Sequence, residues 1–229
     1  MKILIDAGHN FKDFDTGCEG KTSREQDLTF EIAKKLYDIF VKNGHKAYLT
    51  RRLKTDVLGT GTVNSSLSKR AQICNALKPD LFLSIHINSG GGTGCEAYVC
   101  DKNSKAYEYA KKCVQKMQDA GRISRGVKTA NFYVLKNTCA PAVLFEAGFI
   151  DNENEEKWLC ENTSVIANAL FSAICPEKEY PSPSEAVAVM HRVGIISDTE
   201  KWYNGTWTDE DFKWLLKKTA AYIDRTEKM

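Results

Sequence analysis

The chain has 229 residues, 42% of them apolar and 27% charged, with a net charge of +2 and a pI near 8.0. That length suits one ordinary domain with a small appendage, and the composition is that of a globular protein. The charge is too mild to indicate a nucleic-acid partner, and no apolar run approaches the roughly 18 residues of a membrane span.

The first ten residues read "MKILIDAGHN". A secretory signal needs a basic start and an apolar stretch of about 7–15 residues, and Asp6 and His9 interrupt any such stretch. The expectation is a protein made in a cytoplasm and either kept there or released by another route.

Residues 3–5 form a strand-like run that ends at His9. Residues 25–43 place Leu28, Ile32, Leu36, Ile39 and Phe40 at helical spacing, with Gly44 as the stop. A short strand follows at 47–49, and then a long polar loop at 53–66 suited to bordering a groove. A helix is predicted over 65–77, ending near Pro79, and a strand over 81–87, ending at His86. The run "NSGGGTG" (88–94) lacks the Lys-Ser/Thr of a phosphate-binding loop and reads as a flexible connection. Further strands are predicted at 97–99, 132–135 and 142–145, and helices at 104–120 and 153–174. Strands alternating with helices predict an α/β domain with a mostly parallel twisted sheet flanked by helices.

Residues 175–185, "CPEKEYPSPSE", hold three of the five prolines and read as a linker. The expected division is a catalytic domain over 1–175, a linker over 176–184 and a small helical module over 185–229. In that module 184–193 and 208–223 look helical. Ser182 with Glu185, and Thr208 with Asp211, resemble helix-start signals. None of the eight cysteines forms a C-x-x-C pair, which argues against a closed structural zinc site. Most are expected to be reduced thiols packed as small apolar residues, with Cys18 in a glycine-flanked loop near the chemistry.

Two of the four histidines, His9 and His86, end strand-like runs, and Glu146 ends a third. Ligands of open parallel sheets bind outside the carboxyl ends of the strands. If the three strands run parallel, these side chains share one edge, and Glu25 joins them from the start of the next helix. Two histidines and a carboxylate suit a catalytic zinc with one position left for water, and a second carboxylate could carry the water's proton. Each residue has a plainer reading. The histidines could be capping or half-buried residues. Glu25 could close a capping box with Thr22, and Glu146 could be a surface acid.

The blocks "ILIDAGHN", "EQDLTFEIAKKL", "YLTRR", "LSKRAQICNALKPDLFLSIHINS" and "PAVLFEAGFIDNENEEKWL" occur in this order over most of residues 2–174. Together they resemble the zinc-dependent N-acetylmuramoyl-L-alanine amidases of amidase type 3. The resemblance implies one zinc ion held by His9, Glu25 and His86, with Glu146 as the catalytic glutamate. It implies cleavage of the amide between the lactyl group of N-acetylmuramic acid and L-alanine of the peptidoglycan stem peptide. Asn88 and Arg70 fall within the family's blocks as substrate-binding candidates, although Arg70 could equally form a structural ion pair. Asp6 is expected to shape the first turn or to support a ligand from behind. The segment "NFKDFDTGCEG" is less plain than the family's usual glycine-rich loop.

With no export signal in view, the combination resembles a phage or prophage endolysin of a Gram-positive, clostridial-like host. A host autolysin is the alternative. The rival activities are a zinc endopeptidase of the stem peptide and a non-catalytic wall-binding protein. The C-terminal piece contains Trp202, Tyr203, Trp207, Trp214 and Tyr222. By position it resembles a wall-targeting module that could recognise a secondary wall polymer, form a homodimer, or simply pack.

Overall fold

The computed structural model describes residues 1–176 and 183–227, in two compact units, Met1–Pro176 and Glu177–Met229. The first unit holds a six-stranded sheet in the order β2-β1-β3-β6-β4-β5. Its strands are β1 (Lys2–Ala7), β2 (Lys46–Leu49), β3 (Leu81–Asn88), β4 (Cys95–Val99), β5 (Ser124–Thr129) and β6 (Ala142–Phe149). Every neighbouring pair is parallel except β4 with β6. The expected α/β class, mostly parallel and flanked by helices, is what the chain adopts.

The helices of this unit are α1 (Glu25–Lys42), α2 (Val63–Leu77), α3 (Lys105–Asp119), α4 (Tyr133–Lys136), α5 (Glu153–Glu161) and α6 (Thr163–Ile174). Residues Leu28, Ile32, Leu36 and Phe40 recur every fourth position of α1 and are buried. Removing one, as in Leu36→Ala, would cost about 2–5 kcal/mol. The Thr62 hydroxyl starts α2 by accepting from the Ser65 amide at 3.1 Å, and Lys78 ends it in the left-handed region.

Period-two alternation splits the sheet into two unlike faces. Ile3, Ile5, Leu83, Ile85, Val143 and Phe145 pack with residues of α1, α3 and α6 in the larger core. Leu4, Phe82 and Leu144 face the other way, onto Cys74, Val134 and Leu135 of α2 and α4. This second cluster is small. Toward the carboxyl ends of β1, β3 and β6 the same face turns polar, with Asp6, Ser84, His86 and Glu146. The candidate site residues His86 and Glu146 therefore continue the thinly covered face.

Three expectations need correction. Residues 132–135 are not a strand: Phe132 precedes the short helix α4, whose Val134 and Leu135 are buried. A four-residue apolar run does not distinguish the two states. β5, "SRGVKT", escaped notice because a solvated edge strand with Gly126 at φ +78° lacks alternation. The helix expected over 153–174 breaks at Asn162, whose φ of −122° and ψ of 22° lie outside the helical region. The thiols follow expectation for the most part: Cys74, Cys95 and Cys113 are buried, and Cys18 and Cys175 pack against the core. All eight are free, but Cys100, Cys139 and Cys160 are exposed rather than packed.

In the second unit, α7 (Pro183–Arg192), α8 (Thr199–Tyr203) and α9 (Asp209–Glu227) follow one another. The Thr208 amide donates to Asp211 Oδ2 at 2.8 Å and the Asp211 amide returns to Thr208 Oγ1 at 3.4 Å, as the start signal predicted. The other start signal falls partly on Ser182, outside the described residues. Trp202 and Trp207 stack with centroids 6.1 Å apart. Tyr203, Trp207, Phe212 and Trp214 keep large exposed surfaces. Among the described residues no helix is long and apolar enough to cross a membrane.

Candidate metal centre

β1 and β3 run in parallel, as do β3 and β6, so His9, His86 and Glu146 reach the same sheet edge. Between β1 and His9 the chain passes close to β3. A Cβ on Gly8 would lie 2.6 Å from His86 Cε1 and 2.7 Å from the Ile85 carbonyl oxygen, so only glycine fits. His9 itself has φ +64°, a strained conformation worth on the order of 1–3 kcal/mol that the surroundings must impose.

Two buried arginines hold this turn. Arg70 donates through Nη1 to Asp6 Oδ1 at 2.5 Å and to the Ala7 carbonyl at 2.8 Å, and through Nη2 to the His9 carbonyl at 2.6 Å. Arg51 donates through Nη2 to the carbonyls of Gly8 at 3.2 Å and Gln26 at 2.7 Å. Burial would raise the Asp6 carboxyl. The Arg70 guanidinium, with the Thr50 and Ser84 hydroxyls, outweighs it and holds the group below the usual carboxylate range. Arg70 is 1% exposed and paired with Asp6, as the structural ion-pair reading expected.

Glu25 is the first residue of α1, where a helix N-terminus favours negative charge. The capping-box reading fails, because no side chain caps this helix. Instead Glu25 Oε2 accepts from the Cys18 amide at 2.9 Å and Oε1 from the Ile87 amide at 3.0 Å. Burial would raise its pKa, but the two histidines lower it far more. Cys18 contributes its backbone here, while its thiol lies 3.2 Å from Ser89 Oγ.

Three donor atoms converge. His9 Nε2 is 3.0 Å from Glu25 Oε1, His86 Nδ1 is 3.2 Å from that oxygen, and the two ring nitrogens are 3.1 Å apart. Metal bonds of 2.0–2.1 Å to nitrogen and oxygen give a tetrahedral face with edges of about 3.3 Å. Donor types and spacing therefore fit one small divalent cation. Among the described residues this is the one group of three or more histidine, cysteine or acidic side chains so arranged.

Glu146 lies opposite His86 in register on one side and opposite Glu96 on the other. Its Oε2 is buried and has no hydrogen-bond partner among the described residues. Burial, then the nearby Glu25 charge, pushes this carboxyl up to about 8. Asn88 is beside the site, but its amide is already engaged: Nδ2 donates to Glu96 Oε1 at 2.9 Å and Oδ1 accepts from the Ser89 amide at 2.8 Å.

Sequence reasoning missed two carboxylates. Asp15 bonds the outer nitrogen of His9. Its signal was a carboxylate in the loop directly after a candidate ligand. Glu156, on α5, accepts from the amides of Lys21, Thr22 and Ser23 at 2.7–3.0 Å and from the hydroxyls of Thr22 and Ser23. It clamps the loop that delivers Glu25, and no local pattern announces so distant a pairing.

A sheet edge bearing two imidazoles, a helix-start carboxylate and a neighbouring half-buried acid is the arrangement of a candidate α/β metalloenzyme site. Residues 3–176 match the family model described as N-acetylmuramoyl-L-alanine amidase, of amidase type 3, and the chain belongs to that family. Its activity is cleavage of the amide between the lactyl group of N-acetylmuramic acid and L-alanine in peptidoglycan. The sporulation-specific N-acetylmuramoyl-L-alanine amidase of Bacillus subtilis is 37% identical over 199 residues, covering 85% of this chain and 74% of the relative. The endolysin of Bacillus phage SPP1 is 36% identical, covering 98% of this chain and 88% of the relative. Among solved structures, the N-acetylmuramoyl-L-alanine amidase from Clostridium difficile 630 superposes with a TM-score of 0.69 at 27% identity, covering 79% of this chain and 98% of that one.

Proposed function

We propose that the enzyme works with one zinc ion held by His9, Glu25 and His86, and that Glu146 carries the proton of the reaction. The observation that supports this most directly is the unpartnered, buried Oε2 of Glu146, on the strand next to the three converging donors. When bound, zinc supplies Lewis acidity, polarising the scissile carbonyl and acidifying water toward neutral pH. Glu25 provides the negative charge of the donor set, its oxygens fixed by two backbone amides. Glu146 in its carboxylate form accepts the water's proton, and as the resulting neutral acid, which burial favours, gives it to the departing alanine amine. The Asp6–Arg70–Arg51 network keeps His9 in its strained conformation.

The test is mass spectrometry of peptidoglycan digests, with and without chelator, for the wild type and Glu146→Gln. The expected product is a peptide with a free L-alanine amino terminus, formed only by metal-loaded wild type. Glu146→Gln should keep about one zinc per chain and lose about 10²–10⁴-fold in rate. Wall clearing that persists in that variant rejects the proposed role. New amines only at internal peptide positions would instead indicate an endopeptidase.

The delivery reading is that of an endolysin with a catalytic unit over 1–175, a linker over 176–184 and a wall-targeting unit over 185–229. It is supported by the match to the phage endolysin, which at 98% of this chain extends through the C-terminal unit, whereas the family model stops at residue 176. The exposed Trp207 and Trp214 suit stacking on sugars of a secondary wall polymer. The same surface also suits pairing of two copies. Pull-down on purified walls, with and without Trp207→Ala and Trp214→Ala, tests the first, and sedimentation tests the second.

A further inference from the structure

Beyond Glu146, the same sheet face carries a charged cluster that the hydrolytic step does not use. Glu96, 1% exposed, faces Glu146 across the β4–β6 pairing. Its Oε1 accepts from Asn88 Nδ2 at 2.9 Å and from the Tyr98 hydroxyl at 2.6 Å. Its Oε2 accepts from Arg125 Nε at 2.8 Å and from Lys128 Nζ at 2.5 Å. Both oxygens are fully engaged, so two cations surround one buried anion. The cations' side chains remain 39% and 41% exposed. Among the described residues the Nη groups of Arg125 make no hydrogen bond, and its guanidinium lies 5.0 Å from the centroid of Phe149.

We propose that Arg125 and Lys128 form a shelf that binds the carboxylate on the second residue of the stem peptide, counted from the bond that is cut. This rests on the reading of Glu146 as the group that gives its proton to the leaving amine. That amine belongs to the peptide, so the peptide extends from Glu146 away from the metal donors, toward β4 and β5. Neighbouring strands lie about 4.8 Å apart, which puts β5 about 10 Å from β6. Arg125 Nε and Lys128 Nζ reach back to Glu96 on β4, so their charged heads lie nearer than that, within about two residues of extended peptide. Glu96 fixes Arg125 by one edge, leaving the other donors pre-oriented for a second carboxylate. The excess positive charge survives because one anion serves two cations.

The probes are N-acetylmuramoyl-L-alanyl-D-glutamate with its γ-carboxyl blocked as the methylamide, so that the α-carboxylate is the only one on the peptide, and the same compound with that α-carboxylate converted to carboxamide. The wild type is expected to favour the carboxylate form by about tenfold or more in kcat/KM, with the difference in KM and diminishing as salt rises. Arg125→Gln with Lys128→Gln is expected to bring the ratio toward one. Equal kcat/KM for the two compounds with wild-type enzyme overturns the proposal without any variant. A preference that survives in the double variant overturns it as well. Glu146→Gln separates the two readings. Calorimetric binding to that variant should still favour the carboxylate form, whereas retained hydrolysis would reject the role of Glu146 and leave the shelf to be judged by the binding ratio.

Discussion

His9 Nδ1 lies 2.8 Å from Asp15 Oδ1, six residues further along the same loop. The second oxygen of Asp15 accepts from Ser66 Oγ at 2.5 Å. Burial would raise the Asp15 carboxyl, but the His9 and Ser66 hydrogen bonds hold it below its ordinary value. The carboxylate thus fixes which ring nitrogen of His9 faces Glu25 and His86. Asp15→Asn is expected to weaken zinc binding about 10–100-fold, read by competition with a chromophoric chelator. Unchanged affinity would reduce Asp15 to a turn residue.

Glu25 is the acidic member of the donor set and caps nothing. Saturating zinc should stabilise the wild type by about 4 kcal/mol at a thousandfold excess over Kd. Glu25→Ala should lose that gain in calorimetric scans while still unfolding cooperatively. A zinc-dependent rise in Tm that survives the substitution would show that Glu25 is not a ligand.

Arg70 and Asp6 are a buried pair beneath the His9 turn. Arg70→Met leaves the Asp6 charge uncompensated and should cost about 3–5 kcal/mol in urea unfolding. Asp6→Leu combined with Arg70→Met should cost less than Arg70→Met alone, because no orphan charge remains. If the two substitutions simply add, the pair is not coupled.

Glu156 gives the acid limb of stability a specific origin. Burial would raise its pKa, but the amides and hydroxyls of residues 21–23 bring it down from 4.5 to about 2. In that window the unfolded chain binds a proton that the folded chain does not. The stabilisation is therefore complete above pH 4.5 and is lost as pH falls toward about 2. Glu156→Gln should flatten this part of the pH profile of urea midpoints, and an unaltered slope would place the acid sensitivity elsewhere.

Regular, periodic features were legible in the sequence. The helix from residue 25 shows its buried stripe at every fourth position, and His9, His86 and Glu146 each follow an apolar run that became a parallel strand. The ligand candidates could be found because strands deliver side chains to a sheet edge in a predictable direction. The edge strand around Gly126 stayed hidden because none of its six residues is fully buried, so it has no apolar face to alternate with a polar one. The break at Asn162 stayed hidden because the pattern on both sides of it is helical. Arg70 was ambiguous until its partner was known, since a buried and an exposed guanidinium look alike in a string of letters. Glu156 could not have been found, because its donors are backbone amides more than 130 positions away.

β6 is the last strand of the sheet in chain order, yet it lies between β3 and β4. Without residues 142–149 the strand order leaves two separate sets, β2-β1-β3 and β4-β5, with nothing to join them. Glu146 is carried on the strand that joins them. On the proposed role of Glu146, joining the two halves of the sheet and bringing in the reacting acid are one and the same event in the chain's order. Because that strand pairs with segments made much earlier, assembly is dominated by distant contacts and is expected to be slow for a domain of this size.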